Sequence, residues 1–265
     1  MNPFTIYNEG KNQAPVIISL PHSGTWLPEE MRKSLRNEAV LANTDWFLPE
    51  LYSFLAASGY TVIENQVNRY AADPNRESRM SGEDYQATAV YQRNTFGKQL
   101  YDETLSQQTV DERLNKYYWP YHQALHELIE EKRKYFSKIY LFDLHSFAEY
   151  PNADQQKPAD FVIGNHADQT ASADLRETLT ELLEAQGYSV SNNHPFRGGF
   201  ITRHYGEQAA IEALQLEIRY NQYIEKRAFG EEELSKYDPE LFLSTQKQLK
   251  KIFAELLAKL ACERK

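Results

Sequence analysis

A chain of 265 residues, 41% hydrophobic and 13% aromatic, can bury a sizeable core as one large α/β domain or two smaller ones, and is excluded from the disordered class. Its 29 Lys and Arg stand against 38 Asp and Glu, a net charge of -9, which argues against non-specific binding to nucleic acid or anionic membranes. A lone cysteine, Cys262, excludes an internal disulfide and any CxxC zinc ribbon or redox dithiol.

The first strand is expected over Val16–Leu20, running directly into Pro21-His22-Ser23-Gly24. Asp45 stands where it can N-cap a helix carrying Leu48, Leu51, Tyr52 and Leu55 and closed by Gly59. A second strand, Tyr60–Glu64, leads into the polar stretch Asn68 to Arg76. Residues 80–97 are polar with scattered aromatics and are expected to form a surface excursion. The segment from Val110 to Phe136 reads as helix interrupted at Trp119-Pro120, because proline removes a helical hydrogen bond.

A third strand, Ile139–Phe142, runs into Asp143-Leu144-His145-Ser146. Further strands are expected at Phe161–Ile163, Tyr188–Val190 and Leu214–Ile218. Helices are expected from Thr170 to Gln186, with Leu175, Leu179, Leu182 and Leu183 on one face, and from Pro239 onward. Strands alternating with helices indicate an α/β protein: a three-layer αβα sandwich around a mixed, mostly parallel sheet, with residues 1–265 in one domain. The start of the chain lacks the pattern of a secretory signal, and no stretch approaches the roughly 20 apolar residues of a membrane span. A soluble, cytoplasmic protein is the expectation.

In open α/β sheets, ligands bind outside the carboxyl ends of the strands. His22 and His145 are delivered there by two separate strands and look like the start of a metal site. His22 also reads as a turn histidine bonded to backbone. Asp143, two residues before His145, is placed to fix the tautomer of a ligating imidazole. Glu217 alternates with Leu214, Leu216 and Ile218, so it is either a buried general base or a carboxylate on a solvated strand face. The polar stretch holding Arg69, Asn75 and Arg76 suits recognition of an acidic substrate, since the guanidinium fork matches a carboxylate, although solvated loop charges look the same. A second patch, Asn193 to Gly206, carries Arg197, Arg203 and the pair Gly198-Gly199. No G-x-S-x-G elbow or Walker-type loop is present, so serine hydrolases and P-loop NTPases fit poorly.

Together these motifs resemble the N-formylglutamate amidohydrolase (deformylase) family. The resemblance rests on PHSG at 21–24, TDW at 44–46, RYAADPNR at 69–76, PYHQAL at 120–125, DLHS at 143–146, NHPFRGGFITRHYG at 193–206 and LQLEIRYNQY at 214–223. The family is distantly similar to zinc carboxypeptidases and aspartoacylase-type hydrolases, which implies a fold of the zinc-carboxypeptidase or phosphorylase/hydrolase kind. In that wider group a glutamate ligand follows the first histidine by three residues; Thr25 stands there in this chain. The resemblance therefore implies His22, His145 and a third ligand from elsewhere, Asp45 being preferred and Glu50 the competitor, with Asp45 as a plain helix cap still open. It implies one divalent ion, with Zn2+ expected, and Glu217 as base. Asn75 and Arg76 would bind a substrate carboxylate, and Arg69, Arg197 or Arg203 would take the second or stabilise the oxyanion. The implied reaction is hydrolysis of N-formyl-L-glutamate to formate and glutamate, the last step of a histidine degradation route. A sister amidohydrolase acting on another N-acyl amino acid or acidic peptide, and a non-catalytic binding protein, are the alternatives. The expected partner is a small anionic substrate, with neither nucleic acid nor membrane involved; oligomeric state is not indicated.

Overall fold

The computed structural model describes residues 2–78, 85, 88–148, 159–226 and 236–260. Its strands are β1 (Phe4–Tyr7), β2 (Val16–Leu20), β3 (Thr61–Asn65), β4 (Ile139–Phe147), β5 (Phe161–Gly164), β6 (Val190–Asn192) and β7 (Ile211–Arg219). They form a seven-stranded sheet in the order β1-β3-β2-β4-β7-β5-β6. β3, β2, β4 and β7 are mutually parallel, while β1 and β5 run antiparallel to β3 and β7, and β6 pairs parallel with β5. The sheet is thus mixed and mostly parallel, as expected.

From β2 the chain passes to β3 on one side, then crosses to β4 on the other. That reversal puts a topological switch point at the carboxyl ends of β2 and β4, the place where open α/β sheets bind ligands.

Helices cover both faces. One layer contains α2 (Leu48–Leu51), α3 (Ser53–Ala57), α6 (Ala173–Glu184) and the long C-terminal α8 (Pro239–Leu260), packed on Val16, Ile18, Phe142, Leu144, Leu216 and Ile218. On the opposite face α5 (Trp119–Arg133) and α7 (Phe200–Gly206) bury Tyr121, Leu125, Ile129, Ile201 and Tyr205 against Ile17, Leu141 and Ala213. Among the described residues no helix is long and apolar enough to cross a membrane.

The two faces of the central strands differ in a way that creates the site. Alternating residues point to opposite faces. On the α8 side they are apolar over Val16–Leu20 of β2, Tyr140–Leu144 of β4 and Leu214–Ile218 of β7. On the α5 side they change from apolar to polar as the strands proceed: Ile17 gives way to Ser19, Leu141 to Asp143 and His145, and Ala213 to Gln215 and Glu217. All five polar side chains are buried. This explains why β4 outruns its expected end at Phe142. Asp143 and His145 look like strand terminators in local sequence, yet they pair in register along β7 through Phe147.

Other expectations change in detail. β1 went unrecognised because its side chains are only half-buried and carry no clean alternation. The helix expected from Asp45 is two short helices, and its N-cap is Phe47 in the left-handed region at φ 57°, so Asp45 does not cap it. Trp119-Pro120 does not interrupt the long helix. Instead α4 (Gln107–Arg113) passes through a π-helical turn, Leu114–Tyr118, straight into α5, with the Trp119 N–H reaching back five residues to the Leu114 carbonyl. The altered hydrogen-bond register accommodates a proline in the first turn of α5, where a missing N–H costs least. Within the expected surface excursion, Thr88–Tyr91 and Asn94 are buried rather than exposed, because Ala89, Val90 and Tyr91 pack into two small apolar clusters; residues 80–84, 86 and 87 lie outside the described residues.

Candidate active site

His22 follows β2 by two residues, in a turn that needs Gly24: a Cβ there would meet the Gln66 carbonyl carbon at 2.4 Å. The Trp26 N–H donates to the Gln66 carbonyl and ties this turn to the end of β3. The Asp45 N–H donates to the His22 carbonyl at 3.1 Å, so Asp45 is brought to His22 by backbone. His145 comes from β4, and its strand partner on β7 is Glu217.

Both imidazoles turn Nδ1 toward Asp45 Oδ2, at 3.1 Å from His145 and 3.9 Å from His22. Both turn Nε2 toward a second carboxylate, His22 to Asp73 Oδ1 at 2.7 Å and His145 to Asp143 Oδ2 at 2.8 Å. His22, Asp45 and His145 are buried, and one ligand atom from each lies within 4.8 Å of the others. Imidazole–carboxylate donor sets suit Zn2+, and an outer carboxylate on the far nitrogen of a ligating histidine fixes its tautomer. The three side chains fit a divalent metal on these grounds. Glu50, the competing ligand, is on the exposed side of α2 and outside this group.

Burial drives the His22 imidazole down to about 4, helped by the nearby Arg69 charge and opposed by Asp73. His22 is therefore neutral near pH 7, as a ligand must be. Burial also disfavours charge on His145, but Asp143 and Asp45 outweigh it and raise the ring well above its usual value. Glu217 is pushed up to about 8, first by burial and then by the charges of Asp45 and Asp143, against His145 and Arg69. Gln215 Nε2 donates to Glu217 Oε1 at 2.9 Å, and Gln215 Oε1 accepts from the Gly199 N–H at 2.8 Å. The base expected from sequence is thus a buried carboxyl, fixed on one oxygen.

Asp73 is the site residue whose role sequence reasoning missed. Its Oδ1 accepts from His22 and from the Asn75 N–H; its Oδ2 accepts from Arg69 Nε and Nη2 and from the Tyr91 hydroxyl. Burial alone would raise this carboxyl, but Arg69 and His22 hold it well below the usual range. The available signal is an acid placed directly after the apolar run Tyr70-Ala71-Ala72, whose three residues are buried. Ser19, which donates to Asp143 Oδ1 at 2.7 Å and contacts the Tyr121 hydroxyl at 3.0 Å, carried no local signal.

The polar residues expected to meet substrate separate by environment. Arg69 is committed to Asp73 and to the Asn43 carbonyl. Asn75 is buried, with Nδ2 on Asp143 and beside His145 Nε2 and with Oδ1 accepting the Ile201 N–H. A Cβ at Gly199 would stand 2.4 Å from the Asn75 amide, which accounts for glycine there. Arg76 donates from Nη1 to the Asn75 carbonyl and leaves its buried Nε without a partner. Arg69 and Arg76 both approach the Tyr85 ring, at 5.9 and 6.0 Å. Arg203 is exposed and paired with Glu77; Arg197 is exposed on the loop before Gly198.

A family model described as N-formylglutamate amidohydrolase matches residues 14–224, a span that contains every one of these groups. The chain belongs to the N-formylglutamate amidohydrolase family. Among members of this amidohydrolase family, an N-formylglutamate deformylase of Pseudomonas putida is 33% identical over 97% of both chains. One from Pseudomonas aeruginosa is 31% identical over 94% of both. The crystal structure of an N-formylglutamate amidohydrolase from Ralstonia eutropha JMP134 is similar with a TM-score of 0.82, 25% identity and 98% coverage of both chains. A gene product of Agrobacterium tumefaciens shares the fold at 15% identity, with a TM-score of 0.73 over 98% of this chain and 96% of that one.

Proposed function

We propose that this chain hydrolyses N-formyl-L-glutamate to formate and L-glutamate, with a divalent metal, Zn2+, held by His22, Asp45 and His145. The observation that carries this reading is the convergence of two histidine Nδ1 atoms on one Asp45 oxygen, with Glu217 beside His145 in strand register. Bound there, the metal supplies Lewis acidity, polarising a carbonyl oxygen and making water acidic near neutral pH.

The protein's own groups do the rest. Gln215 occupies Glu217 Oε1, so Oε2 takes the proton from the attacking water. The water oxygen bonds to the formyl carbon, the C–N bond breaks, and Glu217 returns the proton to the departing nitrogen. A base with a pKa raised toward the working pH serves both transfers. Arg76, with an unpartnered Nε, holds a substrate carboxylate. Arg197 is the candidate for the second carboxylate, since Arg69 and Arg203 are already engaged by Asp73 and Glu77. Asn75, with Nδ2 3.1 Å from both Asp143 Oδ2 and His145 Nε2, orients these two side chains beside the substrate. Such a reaction would close a histidine degradation route.

The test is formate release from N-formyl-L-glutamate by metal-replete protein, beside an EDTA-treated sample. Formate formed only with metal is expected. No formate from protein holding stoichiometric metal would overturn the substrate assignment.

A further inference from the structure

The PYHQAL segment stands out in the sequence, and the site as described makes no use of its histidine. The backbone that carries Asp73, Asn75 and Arg76 is held by hydrogen bonds to each of its carbonyls. The Asp73 carbonyl accepts from the Arg76 N–H, and the Asn75 carbonyl from the Phe200 N–H and Arg76 Nη1. The other two are taken by side chains from a single helix face: His122 Nε2 lies 2.9 Å from the Pro74 carbonyl, and the Tyr118 hydroxyl donates to the Arg76 carbonyl at 2.9 Å.

Tyr118 is the last residue of the π-turn and His122 lies one helical turn beyond it in α5, with ring centroids 4.5 Å apart. Residues four apart share a helix face. A carbonyl oxygen only accepts, so Nε2 of His122 carries the hydrogen, and the Tyr205 hydroxyl stands 3.1 Å from Nδ1. The His122 ring is buried against Tyr118, Phe200 and Tyr205, which fixes its plane. Neither residue points a polar atom at Asp45, His22 or His145 in any bond described above.

We infer that Tyr118 and His122 are positioning residues that set the Arg76 guanidinium for the substrate carboxylate by clamping the carbonyls of Pro74 and Arg76. This rests on the reading of Arg76 as the carboxylate anchor. An anchor displaced by even 1 Å loses much of its value, so a rigid backbone beneath it is a requirement of binding. The π-turn, a feature often found beside functional sites, sets the rotation at which the helix presents both donors.

The experiment compares Tyr118→Phe, His122→Leu and His122→Gln in metal-replete protein. Tyr118→Phe and His122→Leu should each raise KM for N-formyl-L-glutamate about 5–10-fold, with kcat and bound metal little changed. His122→Gln, whose amide nitrogen takes the place of Nε2, should recover most of the loss. In an Arg76→Ala background Tyr118→Phe should change KM no further, because its effect passes through Arg76. Unchanged KM in both Tyr118→Phe and His122→Leu, or an equal effect with and without Arg76, overturns the inference. Amide hydrogen exchange over residues 73–78 should accelerate in the two clamp variants whatever the substrate is. If the wild type releases no formate, the substrate reading falls, while unaltered exchange in the variants would by itself sink the clamp.

Discussion

His22 Nε2 lies 2.7 Å from Asp73 Oδ1, although 51 residues separate them in the chain. The same relation holds between His145 and Asp143, two residues apart on one strand, at 2.8 Å. Each of the two rings is thus held by a carboxylate on its Nε2, once through a long-range contact and once through a local one.

Asp143→Asn should leave the fold intact and weaken metal binding by about 10–100-fold, the usual effect of removing an outer carboxylate from a ligating histidine. Metal titration against a competing chelator measures this. Asp45→Asn should cost more than that, and Glu50→Gln nothing, since Glu50 lies outside the ligand group.

Glu217→Gln should keep its metal, because Glu217 is not among the converging ligands, and lose about 10²–10⁴-fold in kcat if it is the general base. Single-turnover formate release at matched metal content is the appropriate assay. Near-normal turnover would remove Glu217 from the proton transfers.

Two arginines seven residues apart should behave oppositely. Arg76→Ala should raise KM with little effect on folding, since the guanidinium makes one bond to its own loop and leaves Nε unpartnered. Arg69→Ala should destabilise the protein by about 3–5 kcal/mol, because it strands the fully buried Asp73 carboxylate without its cation. Urea unfolding distinguishes the two.

His122 is held down to about 4, mainly by burial. The unfolded chain then binds more protons than the folded one between about pH 4 and its ordinary value near 6.5, so stability falls as pH falls through that window. The contribution at stake is on the order of 3 kcal/mol. His122→Gln should therefore unfold with about one proton fewer taken up across the window, read from the pH dependence of urea midpoints. An unchanged slope would place the titration elsewhere.

What local sequence carried and what it did not divide along physical lines. His22, His145 and Glu217 were visible because each interrupts or follows an apolar strand, and strand polarity says which end faces a ligand. β4 reads too short for the same reason, since buried polar residues at a strand's carboxyl end mimic a strand's end; β7 is short mainly at its start, where Ile211–Ala213 precede the expected Leu214. Asp73 as partner of His22, the pairing of Arg203 with Glu77 and the inward turn of Asn75 depend on contacts between segments far apart in sequence. Periodicity has no access to such contacts. Proline at 120 was correctly seen as a disturbance, but a change of helical hydrogen-bond register and an interruption share one local signature.

The passage from apolar to polar side chains along one face of β2, β4 and β7 places core and chemistry on the same three strands. Ile17 and Ser19, Leu141 and Asp143, Ala213 and Gln215 are each neighbours on one pleat. The catalyst therefore has no separate scaffold that can soften while the interior stays firm. A conservative change such as Leu141→Val would be transmitted along the strand to Asp143 and His145, so small losses of core packing should register in turnover before they register in melting.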